Sequence, residues 1–155
     1  MIKFSAARLD REQIELTGTE PQEFIDLPEG DTFSVLSPMS YTLVVRKVSG
    51  GALVSGSCEV QLAGTCGRCL ENTEFTVAAE DIELFYDLDE YGEEIDISDD
   101  IREELLLNLP MNILCEEDCA GLCHSCGSNL NKKQCKCSSG ASGSLAWSAL
   151  DDLKL

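Results

Sequence analysis

The sequence predicts an α+β fold: an antiparallel β-sheet or open barrel with one packed helix, followed by a C-terminal cysteine-rich zinc module and a short tail helix. Three observations carry this. Apolar and polar residues alternate with period two through much of Ser40 to Tyr86, a helical stripe runs through Ile97, Ile101, Leu105 and Leu109, and eight of the nine cysteines fall in closely spaced groups. The expected layout is a β-rich domain over 1–113 with a helix over 98–109, a zinc-binding module over 114–138, and a linker and C-terminal helix over 139–155.

A chain of 155 residues is long enough for one core plus a small metal-stapled module. Its net charge of −18 opposes non-specific attraction to a polyanion and makes a basic protein the easier electrostatic partner. The first residues lack the apolar run of a signal peptide, and no segment approaches the roughly 20 apolar residues that span a bilayer. A cytoplasmic protein with no membrane contact is expected. Cytosolic thiols stay reduced and nine is an odd number, so metal ligation is favoured over a disulfide framework.

Residues 1–38 hold short apolar patches broken by Glu20-Pro21, Pro28-Glu29-Gly30 and Ser37-Pro38, which suit short strands and turns. Tyr41, Leu43 and Val45 mark a strand that ends at Ser49-Gly50-Gly51. A returning strand places Val54, Gly56, Cys58, Val60 and Leu62 on its inner face, where Cys58 reads as a small core residue. The next strand carries Phe75 and Val77 inward and then Ile82, Leu84 and Tyr86, so its phase changes near 78–81, as a β-bulge would require.

Asp87 to Asp100 is acidic with no base nearby in sequence; the spacing of a Ca²⁺ loop is absent, and a solvated loop is expected. Asp96, Asp99 and Asp100 sit where carboxylates complement a helix N-terminus. Leu106 and Leu107 flank the helical stripe near its end, which predicts that the zinc module folds over that end. Pro110 stops the helix. Ser138 to Ser144 reads as a flexible linker, and Leu145, Ala149, Leu150 and Leu153 have helical spacing with Trp147 off the stripe, at a rim or facing a partner.

The candidate metal ligands are Cys66, Cys69, Cys115, Cys119, Cys123, Cys126, Cys135 and Cys137, two full sets of four for two Zn²⁺ ions. Two-residue spacers let a tight turn aim both sulfurs at one ion. Spacing alone leaves the partition open: Cys115, Cys119, Cys123 and Cys126 can share one ion, and His124 can replace a thiolate of the Cys135-x-Cys137 pair. Iron-sulfur binding also stays open. Arg68, Lys132, Lys133 and Lys136 lie close in sequence to these thiolates. They either offset the local negative charge or, with Trp147, contact RNA or a partner.

Cys66-Gly67-Arg68-Cys69-Leu70-Glu71, Ile95-Asp96-Ile97, the run from Arg102 to Met111, and Cys119-Ala120-Gly121-Leu122-Cys123-His124-Ser125-Cys126-Gly127-Ser128-Asn129-Leu130-Asn131 resemble the YceD family of large ribosomal RNA subunit accumulation proteins. The resemblance runs from about Ser40 to the C-terminus. Ser142-Gly143-Ser144 departs from the Asp-Pro-Arg that commonly precedes the last helix of the family. The resemblance implies a cytosolic factor in large-subunit biogenesis that supports 23S rRNA accumulation, with ribosomal RNA or a large-subunit precursor as partner, reached directly or through a basic ribosomal protein. It implies no catalytic residues and no small-molecule substrate. It also implies the partition Cys66, Cys69, Cys115, Cys119 and Cys123, Cys126, Cys135, Cys137.

An enzyme is disfavoured by complete four-thiolate sets, a single histidine and the lack of a phosphate-binding loop. The runner-up function is a zinc-ribbon protein-interaction, chaperone-like or redox module unrelated to ribosomes. A redox role fits less well, because Cys66-Gly67-Arg68-Cys69 joins two strands instead of opening a helix.

Overall fold

A computed structural model describes residues 1–9, 11–27, 33–90 and 93–137. The linker from Ser138, the tail helix and Trp147 lie outside the described residues. The elements are β1 (Lys3–Ser5), α1 (Ala6–Leu9), β2 (Ile14–Glu20), β3 (Phe33–Val35), β4 (Met39–Val48), β5 (Gly51–Thr65), β6 (Asn72–Asp87), β7 (Glu94–Asp96) and α2 (Ser98–Leu107), with a 3₁₀ turn at Gln22–Ile25.

The sheet is built on β5, which pairs with β6 along one edge from Gly51 to Thr65. Its other edge is shared: β4 takes residues 51–59 and the short β3 takes 62–64, while β2 extends the sheet beyond β4. Every pairing is antiparallel, and among the described residues β2 and β6 do not meet, so the five strands form an open sheet. Alternation along β4 and β5 sends Leu43, Val45, Val54, Cys58, Val60 and Leu62 into the core.

The phase change in β6 has its cause in the ladder. Gly56 pairs with Ile82 and Cys58 with Ala79, so Ser57 faces both Glu80 and Asp81. One extra residue on β6 therefore switches its buried set from Val77 and Ala79 to Ile82 and Tyr86. Gly56 sits at this irregularity with φ +152°, and a Cβ there would lie 2.1 Å from the Thr42 carbonyl oxygen.

A two-stranded ribbon of β1 and β7 joins α2 in covering the core. The Ile97 amide donates to the Ile2 carbonyl, and the Ile2 amide donates to Ser98 Oγ at 2.7 Å. Ile97, Ile101 and Leu105 are buried and Leu109 half-buried, as the helical stripe predicts. Asp96 accepts the Ser98 amide at 3.0 Å, so the chain enters α2 with one of its first amides satisfied.

Three details depart from the sequence reading. Glu94–Asp96 is a strand within the acidic run, and Lys3 on β1 lies 3.6 Å from Glu94 and 3.8 Å from Asp96, so the compensating base comes from the far end of the chain. The helix ends at Leu107, two residues early, where the Asn108 amide bonds the Leu105 carbonyl and its side chain bonds the Glu104 carbonyl. Pro110 disfavours the α conformation at Leu109, which accounts for the tightened last turn. Leu107 is 72% exposed and Met111 96%, so the cysteine segment does not cover that side of the helix end. The chain instead turns away toward the β5–β6 hairpin tip.

Candidate metal centre

The tip of the β5–β6 hairpin is the turn Cys66-Gly67-Arg68-Cys69. Its backbone is closed by the Leu70 amide bonding the Cys66 carbonyl and the Cys66 amide bonding the Glu71 carbonyl. The turn at Cys123-His124-Ser125-Cys126 repeats this pattern residue for residue. The Gly127 amide bonds the Cys123 carbonyl, and the Cys123 amide bonds the Ser128 carbonyl. In each turn the residue after the second cysteine takes a left-handed conformation, Leu70 at φ +60° and Gly127 at +69°. Each also aims backbone amides at its first sulfur, from Arg68 and Cys69 onto Cys66, and from Ser125 and Cys126 onto Cys123.

Those amides stabilise thiolate. The Cys69 amide is the main cause that lowers Cys66 to about 6, and the amide of Cys126 lowers Cys123. Cys126 Sγ and Ser128 Oγ are hydrogen-bonded at 3.2 Å, which brings Cys126 to about 6. One cysteine further along in each group moves strongly the other way. Cys115 is pushed up to about 12, chiefly by the adjoining Cys119, and Cys137 to about 12 by Cys126. Four thiols this close cannot all ionise without a cation between them.

The eight cysteines gather into two tetrads, Cys66, Cys69, Cys115, Cys119 and Cys123, Cys126, Cys135, Cys137, with the sulfurs of each within 4.8 Å of one another. Cys66 and Cys119 sulfurs are 3.8 Å apart, Cys69 and Cys115 3.7 Å, and Cys123 and Cys135 3.3 Å. A tetrahedral ion with bonds of ~2.3 Å to sulfur spaces its ligands by ~3.8 Å, so each tetrad fits a single metal ion. A multi-iron cluster holds its thiolates further apart than one ion does. His124 is exposed and belongs to neither tetrad.

The tetrads differ in shelter. Cys66, Cys69 and Cys119 are buried, whereas Cys126 and Cys137 are exposed. They are also bound to each other. The Gly67 amide bonds the Ile113 carbonyl, which pins the post-helical segment to the hairpin tip, and the Leu122 amide bonds the Arg68 carbonyl. Asn131, from the loop of the second tetrad, donates Nδ2–H to Cys119 Sγ at 3.2 Å and accepts the Ala120 amide at 2.7 Å.

Two of the basic residues have intramolecular partners. Arg68 Nη1 bonds the carbonyls of Glu117 and Cys119 at 3.1 and 3.2 Å, and Lys132 pairs with Glu71, which lowers the Glu71 carboxyl and raises Lys132. Lys133 and Lys136 are exposed and form no ion pair with a described residue. The sequence reading did not single out Asn131, Ser128 or Glu71 as supports of the tetrads. Glu71 and Ser128 each stand two residues after the second cysteine of their turn, which is their signal in the sequence; Asn131 has no counterpart in the first turn.

A profile described as large ribosomal RNA subunit accumulation protein YceD matches residues 79–154. Residues 79–154, just under half of this chain, are thus similar to YceD-family sequences. That half holds all the clustered cysteines except Cys66 and Cys69 of the hairpin tip. An uncharacterized protein of Mycobacterium tuberculosis is 33% identical over 99 residues, 55% of this chain and 48% of the relative. An Arabidopsis thaliana protein called large ribosomal RNA subunit accumulation protein YCED homolog 1, chloroplastic, is 46% identical over 44 residues, 28% of this chain and 14% of its own. Its namesake in Zea mays is 44% identical over 45 residues. The chain thus spans about half the length of its mycobacterial relatives and far less of the plant ones. No solved structure matches it.

Proposed function

We propose that this chain is a non-catalytic cytoplasmic factor in large ribosomal subunit biogenesis, that it supports 23S rRNA accumulation, and that two Zn²⁺ ions on the eight clustered cysteines hold its interaction surface rigid. The observation that carries the reading is the YceD match running through both tetrads' later ligands. The name of the plant relative, with its reference to large ribosomal RNA subunit accumulation, supports the same role. Four thiolates per ion leave no coordination position for water or substrate, which supports a structural over a catalytic metal. The cysteine segment over 114–138 then acts as a zinc module clamped to the hairpin tip, with Lys133 and Lys136 facing outward and, with Trp147 further along the chain, offered to RNA or a partner.

Depletion of the protein in its own host tests this. The expected result is a fall in 23S relative to 16S rRNA, restored by the wild-type chain and not by Cys66→Ser; an unchanged ratio overturns the reading. A salt series on the purified protein separates RNA from protein recognition. Direct binding to 23S rRNA should weaken steeply with salt, as counterion release requires, whereas binding to a basic ribosomal protein should lack that phosphate-type slope.

A further inference from the structure

The far edge of β6 has no strand neighbour among the described residues, and no described group outside β5 hydrogen-bonds to the backbone of residues 75–81. Such an edge offers a row of amides and carbonyls to another chain. Here it is also walled. Two clefts that share Ala78 and Asn108 run between β6 and the end of α2 with the segment that follows. One, of about 410 Å³, is lined by Phe75, Val77, Pro110, Ile113 and Leu114; the other, of about 330 Å³, lies against Glu80, Asp81 and Glu104. Together they form a trough beside an unpaired edge, apolar toward the metal tetrads and acidic at the bulge.

The charge selects the occupant. No lysine or arginine occurs between Arg68 and Arg102, and Arg102 is paired with Asp99. Glu80, Asp81 and Glu104 form no ion pair with a described residue. A second copy of the chain would bring the same carboxylates and a net charge of −18 against them. Carboxylates at an edge are a common guard against self-association, but a guard gives no reason for the apolar lining at the other end of the trough.

The geometry points to strand addition: the trough takes an extended segment of another protein that carries apolar residues followed by lysine or arginine. Its backbone extends the sheet at β6 while its side chains fill the apolar end and meet the carboxylates. This goes beyond the ribosomal reading and does not depend on it.

The probe is an acetylated seven-residue peptide with a valine-rich first half and a lysine-rich second half, titrated into the full metal-loaded chain and followed by amide chemical shifts and hydrogen exchange. Binding is expected to perturb residues 75–81 and 108–114 and to protect β6 amides that exchange quickly in the free protein. Glu80→Lys with Asp81→Lys should weaken it at least tenfold. A peptide N-methylated at alternate residues, equal in charge but unable to pair, should not bind. Equal binding of the N-methylated peptide, or perturbations spread over the acidic stretch 87–100, would reduce the contact to bulk charge and overturn the proposal. So would full protection of the β6 edge in the free chain, which would mean that the chain's own tail already covers it.

Discussion

Leu70 and Gly127 occupy the same position in two turns with the same backbone hydrogen bonds, and only the glycine is suited to it. A side chain in the left-handed region costs ~1–2 kcal/mol, and Leu70 is 64% exposed, so burial offsets little of that. Leu70→Gly should therefore stabilise the first turn by ~0.5–1 kcal/mol, seen as a higher melting temperature or tighter zinc retention against a chelator. Cys58 is the contrasting thiol. It belongs to neither tetrad, and burial pushes it up to about 11. Alkylation of the metal-loaded protein should leave Cys58 unmodified until the sheet unfolds.

Among the elements, β5 sets the geometry of the rest. Because a Cβ on Gly56 would collide with the backbone of β4, Gly56→Ala should destabilise the fold by at least ~2 kcal/mol, measured by denaturant midpoint. The entry to α2 predicts a pH effect. The Ser98 hydroxyl, and after it the Ser98 amide, hold the Asp96 carboxyl below the usual range. A lowered native value contributes stability above the unfolded value of ~3.9, lost as pH falls through the native one, so Asp96→Asn should flatten the acid limb below about pH 4.

Elements with long alternation were legible in the sequence: β4, β5 and β6 are one-faced, and the bulge declared itself as a phase change between Val77 and Ile82. β1 and β7 were not, because three-residue strands pair from opposite ends of the chain and neither carries a period of its own. Leu107 misled for a related reason. Helical spacing tells which residues share a stripe but not what a flanking leucine meets. The eight clustered cysteines were legible, but spacing left their partition open, and the observed grouping follows from where the hairpin tip and post-helical segment meet.

At the scale of the molecule, the apolar core and the buried thiols form separate clusters. Removing metal should therefore disorder the hairpin tip and residues 113–137 while the sheet survives, although a structural zinc is worth an apparent ~10–16 kcal/mol in small peptides. Amide spectra before and after chelation would show it: signals from 66–71 and 113–137 should collapse and those of Leu43, Val54 and Ile82 persist. Collapse of both sets would mean that the core depends on the ions.

Cys66 and Cys119 are 53 residues apart, whereas Cys123 and Cys135 are only 12 apart. At translation speeds of ~5–20 residues per second, the hairpin's two sulfurs emerge ~3–11 s before their partners. During that interval the nascent chain carries only half of the first tetrad. On the two-zinc reading, metal supply and protection from oxidants during synthesis thus bear on how much of this protein ever reaches its final shape.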